Sequence, residues 1–141
     1  MKPIEHDGVA VVGPGQTYEG GQGFTYGAGC SAETVGAQSI CLNILPMPAG
    51  AVAKAHYHEG IETIAFLLEG TCKVYYGDEL EKSVEVQAGE QCFVAASVPH
   101  APRNESGAPC KWAVVHSSGS DQDGLVLTPE LDAKLAARFA D

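Results

Sequence analysis

The chain has 141 residues, of which 45% are hydrophobic and 7% aromatic, a composition typical of one globular domain that excludes intrinsic disorder. Its 18 acidic and 8 basic side chains give a formal net charge of -10, which argues against nucleic acid and anionic membrane as partners. Its 17 glycines and 8 prolines predict many short elements joined by tight turns, as in an all-β domain.

The first 37 residues are irregular and rich in glycine. We expect residues 1–37 to form an arm that packs on the rest of the domain or on a second subunit. Short strands are predicted at 9–12 and 24–26, because brief apolar stretches there are bounded by glycine clusters.

Residues 38–127 are predicted to form the main β body. The run at 39–46 is almost continuously apolar, which predicts a strand buried on both faces. Further strands are predicted at 54–58, 62–69, 71–76, 83–86, 91–95, 99–103 and 110–116. Short strands separated by turns at intervals of about 8–12 residues are typical of a β-sandwich or barrel.

The tail at 128–141 contains the one helix that the sequence predicts. Thr128 is a suitable N-cap and is followed by a proline, which favours the first helical position. The predicted helix carries an apolar stripe at four-residue spacing, formed by Leu131, Leu135 and Phe139. We expect this stripe to cover an edge of the β body.

The cysteines and the apolar runs predict a cytoplasmic protein. Five scattered cysteines without a C-x-x-C pair are typical of reduced thiols and do not suit a cysteine-based zinc site. The sequence also has no apolar run of the roughly 20 residues that a membrane span needs, and its start has no apolar stretch that suits a secretory signal.

Three of the five histidines stand at informative positions, namely His56, His58 and His100. His56 and His58 are two residues apart, so on a strand both side chains point to one face. We expect a turn at 59–60 to bring Glu62 to the same interior. Three imidazoles and one carboxylate suit a first-row divalent metal such as Fe, Mn, Ni or Zn. The alternative is that these histidines are ordinary exposed or core residues.

Two motifs around these residues resemble those of the cupin superfamily. The first consists of Gly50, His56, His58, Glu62 and Gly70, and the second of Gly89, Ala95, Ser97, His100 and Asn104. Ala95 and Ser97 stand where the family usually has proline and glycine, and Glu62 is one residue further from Gly70 than is most common. The chain also looks like a group of small bacterial cupins labelled as predicted mannose-6-phosphate isomerases.

The resemblance covers residues 39–116 and implies a double-stranded β-helix, in which two antiparallel sheets form a barrel around a metal ion. It implies four metal ligands, His56, His58, Glu62 and His100. Because cupins of this size are commonly dimers, it also implies a homodimer in which the arm at 1–37 pads the partner's sheet.

Other polar residues are weaker candidates. Lys54 shares strand parity with the histidines, so we expect it at the barrel mouth, where it would orient an anionic substrate; the alternative is a solvated lysine. Glu62 or a metal-bound hydroxide is the candidate acid or base. Glu33 is a candidate to reach over the opening, whereas Asn104 is expected to fix a loop and His116 to lie at the surface or at a strand end.

These features predict a metal-dependent enzyme of the oxygenase or isomerase/lyase type that acts on a small oxygenated, anionic organic molecule. The alternative is a non-catalytic cupin that binds or senses a small molecule. Exchangeable metal coordination positions and turnover of a substrate would distinguish the two.

Overall fold

The computed structural model describes residues 2–140, which form two antiparallel β-sheets and two helices. The eleven strands and two helices of these residues are β1 (Thr17–Glu19), β2 (Thr25–Cys30), α1 (Ala32–Val35), β3 (Cys41–Met47), β4 (His56–His58), β5 (Thr63–Glu69), β6 (Thr71–Tyr76), β7 (Lys82–Gln87), β8 (Gln91–Val94), β9 (His100–Arg103), β10 (Cys110–His116), β11 (Leu125–Leu127) and α2 (Pro129–Ala137).

The two sheets pack face to face. One has the strand order β1-β2-β3-β10-β5-β8 and the other β11-β4-β9-β6-β7. Their inner faces share a core that is built from Tyr26, Leu45, Met47, Leu67, Cys72, Val74, Val86, Cys110, Trp112 and Val114. The predicted all-β architecture with a short C-terminal helix is therefore confirmed.

Alternation along β3 and β10 explains how these strands serve the core. In β10 the buried residues are every second one, from Cys110 to His116, as expected for a strand with one face on the core. The same alternation occurs in β3, so the prediction that residues 39–46 are buried on both faces is wrong. Leu42 is 39% exposed because it lies on the outer face of the six-stranded sheet.

The N-terminal region differs from its prediction in two places. Within the described chain, residues 9–12 form no strand, and Val9 is 84% exposed because it has no sheet partner there. The short helix α1 was not expected, since four residues leave little periodicity to detect. Its start is fixed by a capping box, in which the Ser31 and Thr34 side chains each bond the other's backbone amide.

Helix α2 packs on a sheet face and not on an edge as predicted. Leu131 and Leu135 belong to one buried apolar cluster with Tyr75 of β6 and Ala101 of β9, and neither of these strands is at an edge of the five-stranded sheet. Asp132 accepts a hydrogen bond of 2.7 Å from the backbone amide of Ala55. The helix thus supports the chain immediately before β4.

Neither helix in the described part of the chain has the length and apolar character to cross a membrane. The cysteines in residues 2–140 are free thiols, and Cys41, Cys72 and Cys110 are buried. Burial raises the pKa of Cys41 to about 11, so this thiol remains protonated at neutral pH.

Candidate metal centre

Two neighbouring strands of the five-stranded sheet bring three histidines together. His56 and His58 lie at the two ends of β4 and point inward, and His100 opens β9 directly opposite His56. Their relative exposures are 4%, 3% and 6%. One ring nitrogen from each lies within 4.8 Å of those of the other two. Such a convergence of imidazoles can hold a divalent metal.

Each of the three rings is anchored by a backbone carbonyl. Nδ1 of His56 lies 2.7 Å from the oxygen of Lys54, Nδ1 of His58 lies 3.3 Å from that of Asp123, and Nδ1 of His100 lies 2.9 Å from that of Val98. A carbonyl oxygen only accepts hydrogen bonds, so Nδ1 must carry the proton in each ring. The Nε2 lone pairs are then free, which is how metal-binding histidines are oriented.

Burial keeps these rings neutral. It lowers the pKa of all three histidines, and it lowers that of His100 to about 4. The neighbouring rings add to the effect for His56 and His100, because two imidazolium ions would repel each other. Neutral imidazole is the form that binds a metal, so the electrostatics of the site fit its geometry.

Glu62 does not join this group. Among the described residues, the group with ligand atoms within 4.8 Å of one another consists of the three histidines alone. The Glu62 side chain is exposed, and its backbone amide bonds the hydroxyl of Ser117 at 2.9 Å. It lies before β5, whose first residue Thr63 is buried, so Glu62 points away from the interior.

Thr63 occupies the inward position that was expected of the carboxylate. It is 5% exposed and lines a cavity of about 50 Å³ together with His56 and His100. The spacing of the first motif carried a signal of this shift. Glu62 is one residue further from Gly70 than is most common in that motif, whereas Thr63 is at the commonest distance from Gly70. The cluster therefore consists of three neutral imidazoles with a hydroxyl beside them.

Lys54 does not lie at the mouth of this cavity. Its exposed side chain lines a groove on the outside of the sheet with Arg103 and residues of α2. The parity argument fails because Ala55 and His56 are both buried, so the strand alternation does not extend back to Lys54. Lys54 contributes to the site through its backbone carbonyl, which anchors His56.

His116 is a fourth buried histidine that the sequence did not assign to the site. It ends β10, as expected, but it is 4% exposed and therefore not at the surface. Its ring centroid lies 4.6 Å from that of His58. Burial lowers the pKa of His116 to about 3, with His58 and His100 contributing repulsion. His116 is separated from Trp112 and Val114 by even numbers of residues, so on a strand it shares their inward face. This spacing was the sequence signal that could have predicted the burial of His116.

Asn104 has the loop-fixing role that was predicted for it. It is fully buried, and its amide nitrogen donates to the backbone oxygens of Met47, Pro48 and Ala108. Its side-chain oxygen accepts from both the amide and the hydroxyl of Ser106. These bonds join two loops at the end of the barrel away from His116.

A second, larger cavity of about 260 Å³ lies beside α1. Glu33 lines it together with Tyr18, Asn43 and Asp121. The Tyr18 hydroxyl donates to the buried Asp121 carboxylate at 2.5 Å. Burial raises the pKa of both groups, and the carboxylate further raises that of Tyr18.

The family of the chain follows from its sequence. Residues 43–116, more than half of the chain, match the family model described as Cupin domain. The chain belongs to the cupin family. Comparison of this cupin with curated proteins gives no match.

Solved structures support the same fold. A predicted oxalate decarboxylase from Thermotoga maritima is 20% identical, with a TM-score of 0.62 over 74% of this chain and 91% of that one. A protein with a double-stranded β-helix domain from Klebsiella pneumoniae is 15% identical, with a TM-score of 0.58 over 65% and 76%. The predicted double-stranded β-helix is therefore confirmed.

A further similar structure is the DMSP lyase DddQ from Ruegeria pomeroyi DSS-3. It is 27% identical, with a TM-score of 0.54 over 65% of this chain. The cupin covers only 44% of that lyase, so the comparison concerns the barrel alone. The narrower resemblance to predicted mannose-6-phosphate isomerases stays a prediction.

Proposed function

We propose that this cupin binds a divalent first-row metal, Fe, Mn, Ni or Zn, through His56, His58 and His100. We propose further that it is a metal-dependent enzyme of the oxygenase or isomerase/lyase type that acts on a small, oxygenated, anionic organic molecule. The observation that carries this proposal is the anchoring of all three Nδ1 atoms on backbone carbonyls, which leaves three Nε2 donors for one ion.

The charge of the cluster favours an anionic substrate. A bound divalent ion supplies Lewis-acid polarisation of a carbonyl or enolate oxygen. The three imidazoles are neutral, and Thr63 stands where a carboxylate was expected, so these groups do not offset the charge of the ion. An anionic oxygen of the substrate would supply that compensation in a buried, poorly solvated site.

The walls of the inner cavity favour a small substrate. The cavity that His56 and His100 line measures about 50 Å³, which is room for an ion and a few atoms. Apolar side chains, among them Trp112 and Val74, form the rest of its wall. They exclude water, which strengthens the electrostatic interactions within the cavity.

Metal analysis of the purified protein tests the first part of the proposal. We expect about one divalent ion per chain in the wild type and loss of that ion in His58→Ala, because a ligand is removed. His6→Gln is the matched control, since His6 is an exposed histidine that bonds the backbone of Val35. Full metal occupancy in His58→Ala would refute the assignment.

Turnover tests the second part. Wild type and His58→Ala are compared on β-diketones, keto acids and sugar phosphates with added Fe(II), Mn(II), Ni(II) or Zn(II), following dioxygen uptake and product formation. We expect turnover that is lost with the metal. If the wild type binds a compound tightly but does not turn it over, the protein is a non-catalytic cupin that binds or senses a small molecule, and the proposal of an enzyme is refuted.

We also infer a cytoplasmic homodimer. The free thiols of the described residues support a reducing compartment. On the outer face of the six-stranded sheet, Leu42, Ile64 and Phe93 lie in register with Val115 and are 39%, 44% and 59% exposed. Such an exposed apolar row is suited to a subunit contact.

Light scattering at micromolar concentration tests the homodimer. We expect a dimer mass for the wild type and a monomer mass for Phe93→Glu, because a charge on the apolar row opposes its burial. Val84→Glu is the control, since Val84 is 41% exposed on the other sheet. A monomeric wild type would refute the inference.

A further inference from the structure

His116 differs from the other three buried histidines in its hydrogen bonding. His56, His58 and His100 each place Nδ1 on a backbone carbonyl. Among the described residues, Nδ1 of His116 is buried and has no hydrogen-bond partner. A buried polar atom without a partner is costly, so native proteins rarely retain one without a reason. A partner that binds in the interior would remove this cost.

The position of His116 shows where that partner would lie. His116 pairs in register with Thr63 of β5 and Cys41 of β3, and all three residues are buried. Its ring lies against His58, with centroids 4.6 Å apart. Its nitrogens nevertheless fall outside the 4.8 Å group of the three histidines in the described chain. His116 is therefore adjacent to the proposed ligand set and not part of it.

We propose that His116 is a specificity-determining residue that donates a hydrogen bond to an anionic oxygen of a small ligand bound at the three-histidine centre. This inference rests on the proposed function, because it needs an ion at His56, His58 and His100. It narrows the ligand class to oxygen anions, such as carboxylates and enolates. A ligand that binds through a neutral nitrogen gains nothing from His116.

Cobalt-loaded protein provides a direct test that does not depend on turnover. Co(II) is bound to wild type, and acetate and imidazole are titrated separately while the visible spectrum is followed. Acetate is the oxygen anion, and imidazole is the neutral nitrogen ligand. His116→Phe removes the hydrogen bond and keeps a ring, whereas His116→Gln keeps a donor. His6→Gln is the exposed control.

We expect His116→Phe to weaken acetate binding by roughly tenfold or more, as for loss of one hydrogen bond to a charged group. Imidazole affinity and cobalt content should not change, and His116→Gln should recover most of the acetate affinity. If His116→Phe does not fold, as judged by near-UV circular dichroism, His116→Met tests the same loss.

Three results would overturn the inference. Unchanged acetate affinity in a cobalt-loaded His116→Phe would show that no such bond forms. Equal weakening of acetate and imidazole would show a structural effect, and loss of cobalt would show that His116 is itself a ligand. A wild type that binds no Co(II) would instead refute the proposed function and this inference together.

Discussion

The two ends of the barrel interior are built on the same strands but carry different chemistry. At one end, Met47 of β3, Leu67 of β5 and Cys110 of β10 are buried in the apolar core. At the other end of these strands, the buried positions in register are Cys41, Thr63 and His116. Thr63 lines a cavity with His56 and His100, and the ring of His116 lies against that of His58. Burial is nearly complete at both ends, so they differ in side-chain chemistry and not in access to water.

The difference separates stability from function within one sheet pair. We call the end with Met47 and Leu67 the closed end and the end with the histidines the histidine end. Burial of apolar side chains at the closed end stabilises the fold in proportion to the area removed from water. Buried imidazoles at the other end are costly, because desolvation opposes their charged form and Nδ1 of His116 lacks a hydrogen-bond partner among the described residues. Proteins commonly accept such a cost at functional sites. Four predictions test the comparison.

The largest effect should be a loss of stability of the histidine end in acid. Burial lowers the pKa of His100 to about 4 and that of His116 to about 3, against 6.5 for an ordinary histidine. Between these values the unfolded chain binds protons that the folded protein excludes, so the stability present above pH 6.5 is lost as pH falls. Each unit of depression corresponds to about 1.4 kcal/mol per ring.

We therefore expect the free energy of unfolding of metal-free protein to fall by several kcal/mol between pH 7 and pH 4, measured by urea denaturation. His116→Leu should reduce this dependence because one of the depressed rings is removed. His6→Gln should leave it unchanged. Identical pH dependence in wild type and His116→Leu would contradict the prediction.

The closed end should respond to cavity formation. Leu67→Ala should lower the free energy of unfolding by about 2–5 kcal/mol, because Leu67 is fully buried in the core. Leu68→Ala, one residue along the same strand and 41% exposed, should change it by only about 0.5 kcal/mol. Urea denaturation measures both, and metal content per folded chain should remain that of wild type. Equal losses in the two variants would contradict the alternation of β5.

Asn104 should behave as a structural residue of the closed end. Asn104→Ala leaves buried carbonyls without their donor and should cost about 1–3 kcal/mol of unfolding free energy. Asn104→Asp should also destabilise, because it removes the donor while keeping an acceptor. Metal content of the folded protein is the second measurement. A loss of metal without a loss of stability would assign Asn104 to the site.

The smallest effect should come from Glu62. Glu62→Gln should leave metal content and stability within error of wild type, because the side chain is exposed and outside the cluster. Elemental analysis beside His58→Ala provides the comparison. Loss of the ion in Glu62→Gln would return this carboxylate to the ligand set.

Much of the fold could be predicted because strand and turn signals are local. The strands at 71–76 and 110–116 have the predicted bounds, since each is an apolar or alternating run that ends at turn residues. The start of α2 after Thr128 also follows from local residue preferences. Helix α1 was not predicted, and a strand was predicted at 9–12 where none forms. Both errors arise because the structure of such short segments depends on their tertiary partners.

The sequence by itself determined that three histidines would share a β interior, because His56 and His58 alternate correctly and the cupin spacing places His100. Only the tertiary structure decided which neighbours join them. A strand's periodicity fixes which residues share a face but not which face is inward, and a shift of one residue reverses every side chain. The pairing of Thr63 with His116 fixed that choice, turning Glu62 outward and bringing a fourth imidazole beside the cluster.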